Sequence, residues 1–358
     1  MISAAEAIIN QHYDLGELLW LEETHLGFCN RNFAIKVKSS RQEIKYYLRL
    51  SNPSVLEKEI KFEHALIRHL RENGFTLAAD VIPNKEGETY VKVETSPGAE
   101  GKPLLWAVYE FIGGEDRYTW EDTNIDSTDF RNAAQVLAKL HQAGHNFRKP
   151  QDADRVQLPI MTLLPTFEPL YDGFFKRSRQ TEFDRSFQNA YPDIIRTIHH
   201  TGIIDSVLKQ MPCLPIHGDF HQGNLKYLDA GVTGVFDFDW SKVDLRLADL
   251  AYAIILFCAI WEGRATDCLD IDKCRWFVQT YNETCRATSF PGPLNQTEKT
   301  FFPSLLAAAN LFLLNWTVTE FYTRDIPDID AYLKYLAHGL NLMVWIEAHK
   351  DRLASLAV

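Results

Sequence analysis

The chain has 358 residues, 46% of them hydrophobic and 12% aromatic, with a formal net charge of −11. That apolar content excludes a disordered chain and, at roughly 100–200 residues per domain, predicts two lobes with sizeable cores. The acidic balance excludes a general nucleic-acid binder, which needs a basic stripe to meet phosphates, so any nucleotide site must be cationic locally.

The first residues, MISAAEAIINQHYDL, lack a basic run and place Glu6 inside their apolar stretch, so they do not read as a secretion signal. Over residues 20–50, apolar and polar residues alternate through NFAIKVKSS and EIKYYLRL, predicting two or three antiparallel strands. After Asn52-Pro53, SVLEKEIKFEHALIRHLRENGF predicts a helix with Ser54 as N-cap, apolar residues at Ile60, Leu66, Ile67 and Leu70, and a stop at Gly74. Short strands follow at ETYVKVET and PLLWAVYEFI, closed by Gly113-Gly114.

Helices dominate from there. DSTDFRNAAQVLAKLHQAG is capped by Asp126 or Ser127 and ended by Gly144, and four further apolar-periodic segments extend to the C-terminus. One strand pair, near residues 224–228 and 233–237, interrupts them at a DAG turn. The longest apolar run after the N-terminus, residues 250–261, is too short to span a bilayer. Six scattered cysteines without a C-x-x-C pair read as reduced structural thiols. The expectation is a soluble, cytoplasmic α+β protein with no membrane or nucleic-acid partner. Its small antiparallel strand-rich lobe covers 1–112 and its large, mainly helical lobe 113–358, and a homodimer is left open.

The chemistry concentrates in HGDFHQGNLKYLDAGVTGVFDFD, residues 217–239. Phosphoryl transfer needs an aspartate to orient the attacking hydroxyl, and an asparagine oxygen with a second carboxylate to hold Mg²⁺ on the phosphates. Asp219, Asn224 and Asp237 supply these types in that order, with Asp239 as a spare carboxylate. Singly, each is an ordinary turn residue. His217 and His221 repeat the H-x-x-x-H spacing of a metal helix, but Gly218 and Gly223 and the lack of a third ligand argue against zinc. His141 and His145 share that spacing and read as structural.

HGDFHQGNL followed by GVFDFDWSKVDLRLADLAYAI resembles the aminoglycoside phosphotransferase and choline kinase superfamily, whose fold is similar to that of protein kinases. The resemblance implies a bilobal protein-kinase-like fold using ATP and Mg²⁺, with Asp219 as catalytic base, Asn224 and Asp237 as metal ligands, and Asp249 bracing the catalytic loop. GFCNRNFAIKV sits where that family has its phosphate-covering hairpin, making Gly27, Asn30, Arg31 and Asn32 nucleotide-binding candidates, although Gly27 and Asn30 also suit a plain hairpin turn. LRL at residues 48–50 resembles the strand bearing the ATP-binding lysine, with Arg49 as the cation here. Glu63 is the candidate carboxylate partner and Glu59 the alternative, while Tyr109, Glu110, Phe111 and Ile112 resemble the hinge, whose backbone, at Glu110 and Ile112, would meet adenine.

The expected activity is ATP:Mg²⁺-dependent transfer of a phosphoryl group to a hydroxyl of a small molecule: an amino alcohol, a hydroxy amino acid such as homoserine, or an amino sugar. The G-x-x-N-x-N-F turn and LRL strand look most like type II homoserine kinases and related sugar or stress-response kinases. Acidic residues Glu262, Asp267, Asp270, Asp272, Glu320, Asp325 and Asp328 either attract an amine-bearing acceptor or form a solvated surface. A Ser/Thr protein kinase of the stress-response type is the alternative, disfavoured because the gap from Asp237 to Asp249 leaves little room for an activation segment. A non-catalytic pseudokinase is disfavoured by the intact Asp219, Asn224 and Asp237, and a P-loop ATPase by the absence of G-x-x-x-x-G-K-[ST].

Overall fold

The computed structural model describes residues 1–24, 30–94, 102–122, 124–177, 181–229, 231–261, 266–324, 326 and 328–357. The chain packs as two units. One comprises residues 1–115, 146–156 and 233–239; the other comprises 116–145, 157–232 and 240–358. A single boundary near residue 112 does not anticipate the two later segments that return to the first unit.

The first unit is built on period-two alternation. Helix α1 (Ile2–His12) precedes strands β1 (Glu17–Thr24), β2 (Arg31–Ser39) and β3 (Gln42–Leu50). Helix α2 (Glu57–Glu72) and strands β4 (Val81–Ile82), β5 (Val91–Val93) and β6 (Leu104–Glu110) follow. The sheet order is β1-β2-β3-β6-β4, with β5 also on β6, and every pairing is antiparallel. Phe33, Ile35, Val37, Leu48, Leu50, Trp106 and Val108 share one core with Ala5, Ile8 and Ile9 of α1. Each Val, Leu, Ile or Phe side chain among them contributes roughly 1.5–3 kcal/mol on full burial.

Successive strand residues point to opposite faces, so Arg49, Asn32 opposite it and Tyr109 two residues beyond Ala107 all lie on the other face. Helix α2 covers that face, burying Glu63 and His64 among Ile60, Phe62, Leu66, Ile67 and Leu70. The helix starts later than the expected Ser54 cap: Leu56 occupies the cap position, and its N–H donates to the Glu59 carboxylate at 3.1 Å. Ser54 is instead taken up by a local turn, its N–H donating to Asn52 Oδ1 at 2.9 Å. Segment 146–156 lies along α2 through Lys61–Asp152 at 2.7 Å and Val156 N–H to Glu59 at 3.2 Å. Segment 233–239 is tied in by Val235 N–H to Leu77 O at 2.9 Å.

In the second unit, helix α3 (Ser127–Ala143) is capped by Asp126, whose carboxylate accepts from Thr128 and Asp129 N–H. Strand β7 (Cys213–Ile216) leads into the H-G-D sequence, followed by strands β8 (Leu225–Leu228), β9 (Gly231–Val235) and β10 (Lys242–Leu245). β7 and β10 pair antiparallel with Ile216 opposite Lys242. The helix Arg246–Cys258 that follows is anchored at its first residue. Arg246 forms a 2.6 Å ion pair with Glu298, both side chains fully buried, and donates to Gly292 O and Pro293 O. Helix Gln296–Thr323 is long and apolar enough to cross a membrane by length and composition, but 61% of its most apolar window is buried inside the protein.

Candidate active site

The second unit carries the H-G-D loop. Asp249, on the first turn of helix Arg246–Cys258, accepts from the N–H groups of His217 and Gly218, both at 2.9 Å, and from His141 Nε2 at 3.1 Å. Burial favours the neutral acid, but His141, His217 and the Gly218 N–H outweigh it and hold Asp249 below the ordinary carboxylate range. His141 meets Tyr281 through its other nitrogen at 2.7 Å, so the structural role expected for His141 is a brace for the loop. Gly218 has φ +80, and a Cβ there would collide with the Trp240 carbonyl, so this position needs glycine for both reasons.

Asp219 is thereby presented with its side chain 19% exposed and three groups on its carboxylate. Tyr252 donates its hydroxyl at 2.5 Å, Asn224 donates from Nδ2 at 3.1 Å, and His221 Nε2 lies 3.7 Å away. His221 Nδ1 accepts from Gly223 N–H, which leaves the ring proton on the nitrogen facing Asp219. Burial alone would raise the Asp219 pKa. His221, the Tyr252 hydroxyl and His217 reverse that and bring it to about 2. Tyr252 is not one of the sequence-predicted site residues, although D-L-A-Y puts it three residues after Asp249 on the same helix face.

Asn224 ends the short helical turn Gln222–Asn224 and gives both amide hydrogens to Asp219, to its carbonyl at 2.9 Å and to its carboxylate. That fixes the amide and leaves Oδ1, an oxygen suited to a hard cation, without a protein partner among the described residues.

The first unit carries the cationic group. Arg49 donates from Nη2 to both Glu63 oxygens at 2.7 Å and to Tyr109 Oη, and from Nη1 to Asp239 at 2.8 Å. Asp239 also accepts from Asn30 Nδ2, whose Oδ1 in turn receives Asn52 N–H at 2.9 Å. Burial opposes the Arg49 charge, but Asp239 and Glu63 outweigh it and keep the guanidinium firmly protonated. Asp239 is raised, first by burial, because Arg49 and Asn30 only partly offset burial and the charge of Glu63. Arg155, whose Nη2 donates to Phe238 O at 2.7 Å, adds a second positive charge near Asp239.

Asp237, the first acid of the D-F-D, is exposed and has φ +59, a left-handed conformation that costs a non-glycine residue of order 1 kcal/mol. Such strain clusters at functional sites.

Other candidates divide. Glu59 is committed to the N–H groups of Leu56 and Val156, so Glu63 is the partner of Arg49. Arg31 points to the opposite sheet face from Arg49 and pairs with Glu23 through two bonds at 2.7 and 2.9 Å, so it does not join this group. Asn32 is half-buried opposite Arg49. Gly27 lies outside the described residues. Glu110 turns outward to Arg71 at 3.1 Å, its N–H donating to Asp80 O. Ile112 packs over Gly234, where a Cβ would come within 2.5 Å of Ile112 Cγ2. The acidic residues of the helical half are mostly structural: Asp270 and Asp328 cap helices, Asp272 and Glu320 pair with Arg275 and Arg324, and Asp267 accepts from Asn341 and contacts His338. Glu262 and Asp325 lie outside the described residues.

A family model described as the phosphotransferase enzyme family matches residues 20–277, more than half of the chain. The chain belongs to this family. As a phosphotransferase it is similar over nearly its whole length to the homoserine kinase of Methylobacillus flagellatus, with 25% identity over 354 residues covering 94% of each chain. Among solved structures, a microcompartment-associated aminopropanol kinase aligns with a TM-score of 0.66 at 17% identity, covering 98% of both chains. The amicoumacin kinase hAmiN, solved with AMP-PNP, Ca²⁺ and its ligand, aligns with a TM-score of 0.64 at 16% identity, covering 95% of this chain and 92% of that one. The fold of this phosphotransferase, a strand-rich N-terminal region followed by a helical one, is therefore shared with kinases.

Proposed function

We propose that this phosphotransferase moves the γ-phosphoryl group of ATP to a hydroxyl of a small molecule, with the N-terminal lobe binding nucleotide and the helical lobe presenting the acceptor. The observation that carries this is the Asp219 carboxylate, pinned by Tyr252 at 2.5 Å and Asn224 at 3.1 Å on a loop braced by Asp249. The neighbours favour an acceptor that bears both an amine and a hydroxyl, such as a hydroxy amino acid or amino alcohol.

Asp219 positions the hydroxyl through its ionised oxygen. A carboxylate with a pKa of about 2 is a weak base, so it takes the proton late, once bonding to phosphorus has made the hydroxyl acidic. Asn224 Oδ1 and Asp237 would hold Mg²⁺, which when bound supplies charge stabilisation to the phosphates. Arg49, fixed by Glu63, offsets phosphate charge through a planar fork rather than a point charge. Asn30 and Asn32 line the same region of the hairpin, and the backbone at Glu110 and Ile112 meets adenine. Cytoplasmic ATP is the phosphoryl source in this scheme.

The experiment is ADP release with Mg²⁺ and ATP across homoserine, aminopropanol, ethanolamine, choline, amino sugars, aminoglycosides and a generic protein substrate. Turnover with one amine-bearing alcohol is expected. A response to the protein substrate alone, or to none, would overturn the small-molecule assignment.

A further inference from the structure

We propose that Tyr109 is a positioning residue for phosphate binding, holding the Arg49–Glu63 pair in place through a hydroxyl relay that begins at Thr89. Tyr109 lies on β6 within the hinge sequence, yet its side chain turns back onto the face shared with Arg49. Its ring lies 4.6 Å from the Arg49 guanidinium carbon, and its hydroxyl contacts Arg49 Nη2, Glu63 Oε1 at 3.2 Å and His64 Nε2 at 2.8 Å. His64 Nδ1 meets Thr89 Oγ1 at 2.8 Å. Arg49, Glu63, His64 and Tyr109 are all at most 9% exposed.

Proton accounting gives this chain a direction. Tyr109 has one hydroxyl proton, Glu63 only accepts and Arg49 only donates. With a single proton on the His64 ring, all four contacts are satisfied only if Thr89 donates to His64 Nδ1, His64 Nε2–H donates to Tyr109, and Tyr109 donates to Glu63. This order needs a neutral His64. Burial, followed by Arg49, Arg68 and Arg155, pushes the ring well below its ordinary pKa. The relay therefore spends the Tyr109 proton on Glu63 and leaves its oxygen to receive Arg49 Nη2. A lysine at position 49 would reach one of these acceptors as a point charge; the arginine fork spans Glu63, Tyr109 and Asp239 at once.

The inference rests on the proposed contact of Arg49 with phosphate, and the test separates the two. Binding of Mg²⁺–ATP and of adenosine is measured by calorimetry for Tyr109→Phe, Thr89→Val and Arg49→Lys in the full chain. Tyr109→Phe keeps the ring and is expected to weaken Mg²⁺–ATP about tenfold while adenosine stays within about twofold. Thr89→Val, at the partly exposed end of the relay, gives a smaller loss of the same kind and serves if Tyr109→Phe fails to fold. Equal losses for both ligands would make Tyr109 a packing residue and overturn the inference. Unchanged Mg²⁺–ATP binding in Tyr109→Phe and Thr89→Val with a loss in Arg49→Lys would overturn the relay and leave the Arg49 assignment standing. Unchanged binding in Arg49→Lys would remove the Arg49 assignment and the relay with it.

Discussion

Arg49 holds the second acid of the D-F-D: its Nη1 donates to Asp239 at 2.8 Å while Nη2 grips Glu63. The β3 cation thus ties the α2 carboxylate to the end of the 233–239 segment inside one unit. Arg49→Ala leaves Glu63 buried without its counter-charge, which typically costs roughly 3–5 kcal/mol. Arg49→Lys keeps the charge but loses the fork, and its expected signature is a KM for ATP raised about tenfold with a smaller stability loss. Urea denaturation with steady-state kinetics on both variants checks this, and wild-type behaviour of both would refute it.

Asp219→Ala should leave ATP affinity near wild type and lower kcat by roughly 10²–10⁴-fold. Tyr252→Phe removes the 2.5 Å hydrogen bond from the same carboxylate and should lower kcat by about tenfold with little effect on KM for ATP. An active Asp219→Ala enzyme, measured by ADP release, would sink the assignment of the base.

The left-handed backbone at Asp237 permits a test that separates function from stability. Asp237→Gly should stabilise the fold by up to about 1 kcal/mol, because glycine adopts φ +59 without the Cβ penalty. The same change, like Asp237→Asn, should weaken nucleotide binding only when Mg²⁺ is present. Thermal melts and magnesium titrations by calorimetry give both readouts; an unaltered titration contradicts the metal role.

Asp219 also sets a pH dependence. Its folded-state pKa is lowered from 3.8 to about 2, so its contribution to stability is complete above about pH 4 and is lost as the pH falls towards 2. Asp249 is shifted in the same direction and adds to the same acid limb. The stability difference between wild type and Asp219→Asn should therefore be largest at neutral pH and shrink below pH 4. Denaturation midpoints at pH 7, 4 and 3 measure it, and a difference that grows on acidification would reverse the sign assigned here.

Much of the candidate site was legible because it lies in one contiguous run. Asp219 and Asn224 are five residues apart on a single loop, so local backbone geometry alone lets Asn224 reach back to Asp219. The brace from Asp249 followed from the family resemblance, and the helix, strand and cap patterns followed from periodicity, as at Asp126 and α3. Where local preference was overridden, the cause was competition nearby: Ser54 lost the cap position because Asn52 captured its N–H.

By itself, then, the sequence determined the class of chemistry, the strand-then-helix order and the position of the H-G-D loop, since spacing and periodicity are local properties. Only the tertiary structure decided which groups meet across long separations. It chose Glu63 over Glu59, set Asp239 against Arg49, sent Arg31 to the far face of the sheet, and brought Tyr252 and His141 to the loop. Those partners depend on sheet register and helix rotation, which the pleat and the packed core impose together.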